Sequence, residues 1–319
     1  MYSNVKRSNK YISRLCDFIR LEYQISPVSL TPAKRGYYGE TWRLEAADRN
    51  YFVKLDYSPH KKIYERSFVV LDHLRSHGIT AVSKIIKSVN GELSTRFDSA
   101  VLGVFEWIDG ENVQNEATKI EEYKILGKVY AAPTDNIDIQ RDKFSAANAN
   151  LFYRQWDKLK DGASNKNHSA ILSVLDRHGN RFRERSERLA LFADKCKSDT
   201  SNFYITHGDA GGNVIVNGSK FYIVDWDDTR LAPPERDAWF CLHWEWAMTA
   251  FNNALRGNGI NYTLRPERLA YYCYDMFFFY LNEYMKTYFA LGNRGISEKL
   301  TEYFNCWIEN EILYADNIK

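Results

Sequence analysis

One stretch near the middle of the chain, residues 203–228, constrains the fold more than any other. Within it, two short apolar runs, 214–216 and 221–224, flank the dipeptide Asn217-Gly218. Asn-Gly supplies the two positive-φ residues that a type I′ turn requires, and such turns join adjacent antiparallel strands. The pattern therefore predicts a β-hairpin in this part of the chain.

A two-residue loop also predicts the register of this hairpin. It would pair Val216 with Ser219, and counting back along both strands places Asp225 opposite Ala210. Three oxygen-bearing side chains would then meet at the open end: Asp209, Asn213 and Asp225. Two carboxylates held together repel each other unless a cation compensates their charge. Magnesium prefers such hard oxygen ligands and completes its shell with water and substrate phosphates, so the pattern predicts a magnesium site.

The order of the polar residues distinguishes a catalytic site from a hairpin with an acidic rim. The motif His207-x-Asp209 comes first, then Asn213, then an apolar strand that ends at Asp225. Kinases arrange their catalytic loop and metal-binding aspartate in this order, and the loop aspartate accepts the proton of the substrate hydroxyl. A lone aspartate near a turn would favour the acidic-rim alternative, but the ordered set favours a site.

These motifs resemble the aminoglycoside phosphotransferase family, kinase-like enzymes that phosphorylate small hydroxyl-bearing molecules. Residues 223–227 match the aspartate motif of the family, and residues 232–237 look most like its spectinomycin kinases. One feature departs from the family pattern, because Asn213 follows Asp209 by four residues instead of the usual five. Two glycines lie between them, and glycine adopts backbone angles that absorb such a shortening locally.

The resemblance implies a role for each polar residue of the stretch. Asp209 would orient and deprotonate the substrate hydroxyl, while His207 would support the loop. Asn213 and Asp225 would hold magnesium on the phosphates of the nucleotide. Asp227 would either support these ligands or bind a second ion.

The segment before residue 108 has the pattern of an antiparallel sheet with two helices. Apolar residues at helical spacing predict helices near residues 9–24 and 61–76. Alternating runs rich in β-branched and aromatic residues predict strands that form an antiparallel meander. These runs are 28–33, 40–46 and 50–57.

The same resemblance implies a nucleotide site in this segment. Gly36 and Gly39 would lie in the loop that covers the nucleotide, and Lys54 would reach its α and β phosphates. The alternatives are a simple turn and an edge-strand lysine that points to water. A kinase also needs a helix glutamate to orient this lysine. The family position falls on Ser67, which leaves Glu65 and Asp72 as the available substitutes. We expect Glu65 to take this role, and the alternative for both acids is a solvated charge at the edge of the helix.

The end of the next apolar strand would be the hinge between two lobes. Backbone groups of Glu106 and Ile108 would contact the adenine ring. We therefore expect an α+β, protein-kinase-like, two-lobed fold: a nucleotide-binding lobe with an antiparallel β-sheet at residues 1–108, and a mainly helical catalytic and substrate-binding lobe at residues 109–319. Within the second lobe, the spacing of apolar residues predicts one long helix over residues 171–196.

Three isolated acids of the C-terminal region are candidates for binding a cationic substrate: Glu245, Asp275 and Glu283. Asp275 and Glu283 are eight residues apart in a predicted helix, about 80° apart around its axis, and could face one cleft. A capped or paired core acid is the alternative for each of them.

The composition excludes several classes of partner. The 319 residues include 43 basic and 41 acidic side chains, and the net charge of +2 gives no field that favours nucleic acid or an anionic membrane. The five cysteines are scattered and lack the spacing of a zinc site. Neither a signal peptide nor an apolar stretch of the ~20 residues that a spanning helix needs is evident. We expect a cytoplasmic monomer or homodimer whose partner is a small molecule.

The resemblance implies transfer of the γ-phosphate from ATP, with magnesium, to a hydroxyl of an aminoglycoside or spectinomycin-type antibiotic, and hence antibiotic resistance. A metabolite kinase for choline or another amino alcohol remains an alternative. A non-catalytic kinase-like binding protein is a second alternative, which the shortened loop and the missing helix glutamate favour. The presence of all the kinase residues argues against it: Lys54, Asp209, Asn213 and Asp225.

Overall fold

The computed structural model describes residues 7–33, 39–57, 61–135, 137–161, 168–241, 244–293, 295–306 and 308–318. The chain divides into two compact units by its packing. The first unit contains residues 1–140, 204–231 and 257–260, and the second contains residues 141–203, 232–256 and 261–319. The expected lobe boundary at residue 108 stays a prediction.

The first unit begins with a helix that covers one face of a sheet. Helix α1, Asn9–Tyr23, is capped by Ser8, whose side chain accepts from the Tyr11 N–H, and it ends where Gln24 adopts a left-handed conformation at φ 54°. Leu15 and Ile19 lie four residues apart on its buried face. This spacing places both side chains on one side of the helix, where they pack on the sheet.

The sheet of the first unit is antiparallel, in the spatial order β1-β2-β3-β6-β4, with β5 also pairing with β6. Its strands are β1 Pro27–Pro32, β2 Glu40–Ala46, β3 Asn50–Asp56, β4 Ile85–Ile86, β5 Thr95–Phe97 and β6 Ala100–Glu106. The predicted meander of β1, β2 and β3 is confirmed. Strand β6 is buried along most of its length because β3 pairs with one of its edges and β4 and β5 with the other.

Helix α2, Lys61–Ser76, has the bounds that the sequence predicts and packs against β6. Gly103 on β6 allows this approach. A Cβ atom at that position would lie 2.7 Å from the ring of Phe68, closer than real Cβ contacts occur. The sheet therefore holds the inner face of α2 next to β3 and β6.

The central hairpin forms as predicted, but its predicted register is wrong. It consists of two strands, β9 Val214–Asn217 and β10 Lys220–Ile223. Val216 pairs with Phe221 and not with Ser219, so the loop consists of Gly218 and Ser219. Gly218 has a positive φ of 58°, as at the first central position of a type II′ turn, while Asn217 stays in the strand.

The corrected register moves the pairing by two residues. Because side chains alternate along a strand with a period of two, this shift leaves each side chain on its expected face. The backbone N–H of Val224 donates to the carbonyl oxygen of Asn213 at 2.9 Å. Asp225 therefore lies level with Gly212 instead of Ala210, directly beside Asn213.

The remaining elements of the first unit support this hairpin. Strand β7, Glu111–Asn112, pairs with β9, and helix α3, Glu116–Tyr130, packs on β8 and β10. Strand β8, Tyr204–Thr206, and strand β11, Arg230–Ala232, form a separate two-stranded sheet. The residues that follow β8 and β10 are therefore fixed at both ends by strands.

The second unit is helical. Its helices are α4 Ala147–Asp161, α5 Ser169–Arg177, α6 Gly179–Cys196, α7 Glu235–Ala238, α8 Glu245–Gly257, α9 Pro266–Leu291, α10 Ile296–Tyr303 and α11 Ile308–Asp316. The 26-residue helix α9 contacts α4, α6 and α11. Aromatic rings fill this core, which includes the fully buried Phe152, Phe182, Phe277 and Phe278.

The prediction of a single helix over residues 171–196 is wrong. The chain breaks at His178, which ends α5 and precedes α6. Gly179 follows it, and glycine weakens a helix interior by about 1 kcal/mol relative to alanine. The His178 ring packs at a tilt against Phe304, with ring centroids 4.1 Å apart, so packing within the unit stabilises the break.

No helix among the described residues is both long enough and apolar enough to cross a membrane.

Candidate active site

The loop after β8 is fixed by His207, a fully buried side chain. Its Nδ1 atom accepts the backbone N–H of Asp209 at 3.1 Å. The proton of a neutral ring therefore lies on Nε2, which donates to the carbonyl oxygen of Val224 at 2.9 Å. The ring also packs edge-on against Trp226. His207 thus joins the loop of Asp209 to the end of strand β10.

Asp209 itself is exposed at the start of this loop. The Nδ2 atom of Asn213 donates to the carbonyl oxygen of Asp209 at 2.6 Å and lies 3.4 Å from its carboxylate. This leaves the Oδ1 atom of Asn213 as an acceptor. The structure therefore brings Asp209 and Asn213 together and presents a carboxylate and an amide oxygen.

The four-residue spacing from Asp209 to Asn213 is absorbed by one turn of 3-10 helix at Ala210–Gly212. The Asn213 N–H donates to the Ala210 carbonyl at 2.9 Å, closing the turn. Neither Gly211 nor Gly212 has a positive φ. The shortening thus uses a 3-10 turn, which needs fewer residues per turn than an α-helix, and not an angle that only glycine adopts.

Asp225 follows β10 in a strained conformation. Its φ of 63° lies in the left-handed region, which is uncommon for any residue but glycine and occurs often at functional sites. Trp226, which is 1% exposed, fixes the turn by donating its Nε1 proton to the Ile223 carbonyl at 2.9 Å. The turn brings Asp225 and Asp227 to the same side, where both reach one cation.

That cation is Lys54 of β3. Its Nζ atom lies 2.9 Å from Oδ1 of Asp225 and also donates to Oδ2 of Asp227. Lys54 is 8% exposed, so water provides little of its solvation. Within the first unit, the structure therefore joins the predicted phosphate-binding lysine to both predicted metal-binding aspartates.

Charge and burial shift the pKa values of all three groups. Attraction by the Lys54 ammonium holds the pKa of Asp225 below its usual range. Burial raises the pKa of Asp227, and the neighbouring Asp225 charge adds to this increase. Burial opposes the charge of Lys54, but the two carboxylates outweigh it and raise the lysine pKa.

The donor set fits magnesium. Asp225, Asp227 and the Oδ1 atom of Asn213 offer oxygen atoms only, which is the ligand type that this ion prefers. Among the described residues, no group of three or more His, Cys, Asp and Glu side chains is placed to hold a metal. These residues would supply one or two carboxylates and an amide oxygen to such an ion.

The structure does not place Glu65 beside Lys54. The Glu65 carboxylate forms an ion pair with Arg96 of β5. Sequence reasoning missed the helix residue that does contact this lysine, because Tyr64 has the spacing of an ordinary core position. The ring centroid of Tyr64 lies 4.6 Å from the Lys54 Nζ atom.

The other predicted nucleotide-site residues lie around β3 and β6. Gly36 is outside the described residues, whereas Gly39 packs so closely that an added Cβ would lie 2.3 Å from the Leu55 carbonyl oxygen. Glu106 pairs with Arg49 and Lys84, and its backbone N–H donates to the Lys84 carbonyl. Ile108 follows β6 and is half-buried.

The three candidate substrate acids lie in the second unit. Asp275 on α9 accepts from the Nδ2 atom of Asn148 at 2.9 Å, so it takes part in the contact between α9 and α4. Glu283, two turns later, pairs with Lys286 and is 13% exposed. Glu245 is exposed in the first turn of α8. All three therefore belong to one unit, and two of them share a helix.

Residues 29–272 match the model of the phosphotransferase enzyme family, APH. The chain belongs to this family. The resemblance read from the motifs is thus confirmed. A search of curated proteins finds no match.

Solved structures share the fold of this phosphotransferase over nearly its whole length. A spectinomycin phosphotransferase in complex with ADP and spectinomycin matches at 17% identity, with a TM-score of 0.77, 95% of this chain and 98% of the other covered. A microcompartment-associated aminopropanol kinase matches at 15% identity, with a TM-score of 0.65 and 97% of each chain covered. An aminoglycoside phosphotransferase mutant with ADP and hygromycin B matches at 13% identity, with a TM-score of 0.57. The match covers 93% of this chain and 98% of the other. The predicted α+β kinase-like fold is confirmed.

Proposed function

We propose that this protein is an ATP-dependent kinase that transfers the γ-phosphoryl group to a hydroxyl of a small molecule. The observation that carries the proposal is the grouping, in one compact unit, of a buried lysine with the two aspartates that follow β10. Solved structures of the same fold contain ADP, which supports a nucleotide as the partner of this lysine.

Each residue of the candidate site has a separate role in the proposed reaction. Lys54 binds the nucleotide phosphates, and Asp225 and Asn213 hold magnesium, with Asp227 next to them. When bound, the ion neutralises charge on the transferred phosphoryl group. Asp209 is exposed on the loop after β8, so it orients the substrate hydroxyl and accepts its proton. His207 keeps the loop in place through its two backbone contacts.

We propose a polyhydroxylated, amine-bearing substrate of the aminoglycoside or spectinomycin type, which would make the enzyme a determinant of antibiotic resistance in the cytoplasm. The solved structures with spectinomycin and with hygromycin B support this class. Asp275, Glu283 and Glu245 are the candidate partners for the amines. The aminopropanol kinase structure favours an amino alcohol as the second candidate.

A substrate panel tests the proposal. Purified protein is incubated with ATP and magnesium and with spectinomycin, several aminoglycosides, choline, aminopropanol and small sugars, and ADP release is coupled to a spectrophotometric signal. We expect substrate-dependent ADP release with one class of amine-bearing compound. If no compound stimulates ADP release and ADP does not bind, the non-catalytic alternative takes its place.

A further inference from the structure

The ring of Tyr64 on α2 lies against the ammonium group of Lys54. The distance from Nζ to the ring centroid is 4.6 Å, within the ~6 Å range of cation–π contacts. Tyr64 is 3% exposed and Lys54 is 8% exposed. Because little water reaches this pair, the contact belongs to the desolvated class, in which the attraction between a cation and a ring face is strongest.

Among the described side chains of α2, no carboxylate contacts Lys54. Tyr64 and Glu65 are consecutive, so their side chains point about 100° apart around the helix axis and only one of them can face β3. Tyr64 takes the inner position, and Glu65 pairs with Arg96. Kinases orient this lysine with a helix glutamate. Here an uncharged aromatic face occupies the helix side of the lysine.

The packing of α2 fixes the orientation of the ring. Phe68, one turn later, meets Tyr64 edge-on with an interplanar angle of 88°. Phe68 in turn packs against Phe105 of β6, with ring centroids 5.3 Å apart. A continuous row of three rings therefore connects Tyr64 to the sheet. This packing leaves the Tyr64 ring little freedom to move away from Lys54.

We propose that Tyr64 is a positioning residue that holds Lys54 toward the nucleotide phosphates through the face of its ring. This inference rests on the proposed function. Among the described residues, Lys54 has three partners, of which Asp225 and Asp227 would turn to magnesium when the nucleotide binds. The ring stays in place in both states. Since it carries no net charge, it holds the ammonium group without competing with the phosphates for it.

The test compares three variants by calorimetric titration with magnesium ADP and by the Michaelis constant for ATP. Tyr64→Leu removes the ring and keeps an apolar side chain of moderate size. We expect it to weaken magnesium ADP binding about tenfold, the equivalent of a ~1.4 kcal/mol contact. Tyr64→Phe restores the ring face, and we expect it to return the affinity to within about threefold of the parent.

Tyr123→Leu is the matched control. Tyr123 is buried in α3 of the same unit, and its ring lies 5.8 Å from the Lys119 Nζ atom. The control repeats the loss of a buried tyrosine next to a lysine, away from Lys54. We expect it to lower the unfolding temperature as Tyr64→Leu does, while the affinity for magnesium ADP stays within about twofold of the parent.

A double-mutant cycle shows whether Tyr64 acts through Lys54. In a Lys54→Met background, Tyr64→Leu is expected to cause no further loss of magnesium ADP affinity. An equal loss with and without the lysine, an unchanged affinity in Tyr64→Leu, or a Tyr64→Phe variant as weak as Tyr64→Leu would each overturn the inference. Failure of the proposed function is a separate result, because the parent itself would then not bind magnesium ADP.

Discussion

The Nε2 atom of His207 lies 2.9 Å from the carbonyl oxygen of Val224, so the loop that carries Asp209 is joined to the residue that precedes Asp225. Because Nδ1 of the same ring accepts the Asp209 N–H, one buried imidazole contacts the backbone of both functional segments. The proposed catalytic base and the proposed metal ligand are therefore set relative to each other by the backbone contacts of a single side chain.

Replacing this imidazole tests its supporting role. His207→Phe keeps an aromatic ring next to Trp226 but leaves the half-buried Val224 carbonyl without the His207 donor. We expect the free energy of unfolding to fall by about 1–3 kcal/mol in denaturant titration, with turnover reduced but measurable. If turnover is abolished while the free energy of unfolding is unchanged, His207 acts on the proton and not on the loop.

Removal of Asp225 tests the metal site. Asp225→Ala deletes a charged oxygen ligand, and we expect the dependence of ATP binding on magnesium to disappear in calorimetric titrations with and without the ion. Asp228→Ala is the control, because Asp228 is exposed and pairs with Arg230. An Asp225→Ala variant that binds ATP with the same magnesium dependence as the parent would rule out this residue as a ligand.

The buried carboxyl group of Glu235, in the second unit, should make the stability of the folded protein depend on pH. It is fully buried, and a single oxygen accepts both the Tyr262 hydroxyl at 2.7 Å and the Arg265 N–H at 2.6 Å. Its Oε2 atom is buried and has no hydrogen-bond partner among the described residues. Burial raises the pKa of Glu235 above its ordinary value of 4.5, so the folded state holds this proton more tightly than the unfolded state.

The sign of the effect follows from this difference. The contribution of Glu235 to stability is present in full below pH 4.5 and is lost as the pH rises through the raised pKa of the folded state. We expect Glu235→Gln to become more stable relative to the parent as the pH rises from 4 to 8, measured as the free energy of unfolding of each protein. A difference that is constant over this range would show that the carboxyl group does not titrate there.

The acids of α9 test the substrate class. Once a substrate is known, we expect Asp275→Asn or Glu283→Gln to raise its Michaelis constant by about tenfold, because a charge-assisted contact to an ammonium group contributes ~1.5 to 3 kcal/mol. Turnover is expected to change less, since the contact exists before the transition state as well. Glu298→Gln, an exposed acid of α10, is the control. If neither α9 variant differs from this control, the two acids are structural.

Much of the fold could be predicted from local patterns. The bounds of α2 and the order of β1, β2 and β3 follow from apolar periodicity, which decides which face of an element is buried. The polar residues of the loop after β8 were predicted as site candidates because kinase chemistry requires such residues in a fixed order, and their catalytic roles stay predictions. These features depend on residues close together in the sequence, so the sequence alone identifies them.

One error has a local cause, and the others arose where distant packing decides the outcome. The hairpin register depends on which residue enters the turn, and both Asn217-Gly218 and Gly218-Ser219 are compatible with a tight turn. The break at His178 depends on its contact with Phe304, more than a hundred residues away. The spacing of apolar residues also does not predict the contact of Tyr64 with Lys54, because a buried tyrosine on a helix has the pattern of a core residue.

The central claim is that Asp209 activates a hydroxyl for phosphoryl transfer from ATP. Asp209→Asn, assayed with the best substrate of the panel and titrated with magnesium ADP, tests it most directly. We predict that turnover falls by about 100- to 10,000-fold, the usual contribution of a general base, while the affinity for magnesium ADP is unchanged. An Asp209→Asn variant that keeps near-parental turnover would contradict the claim.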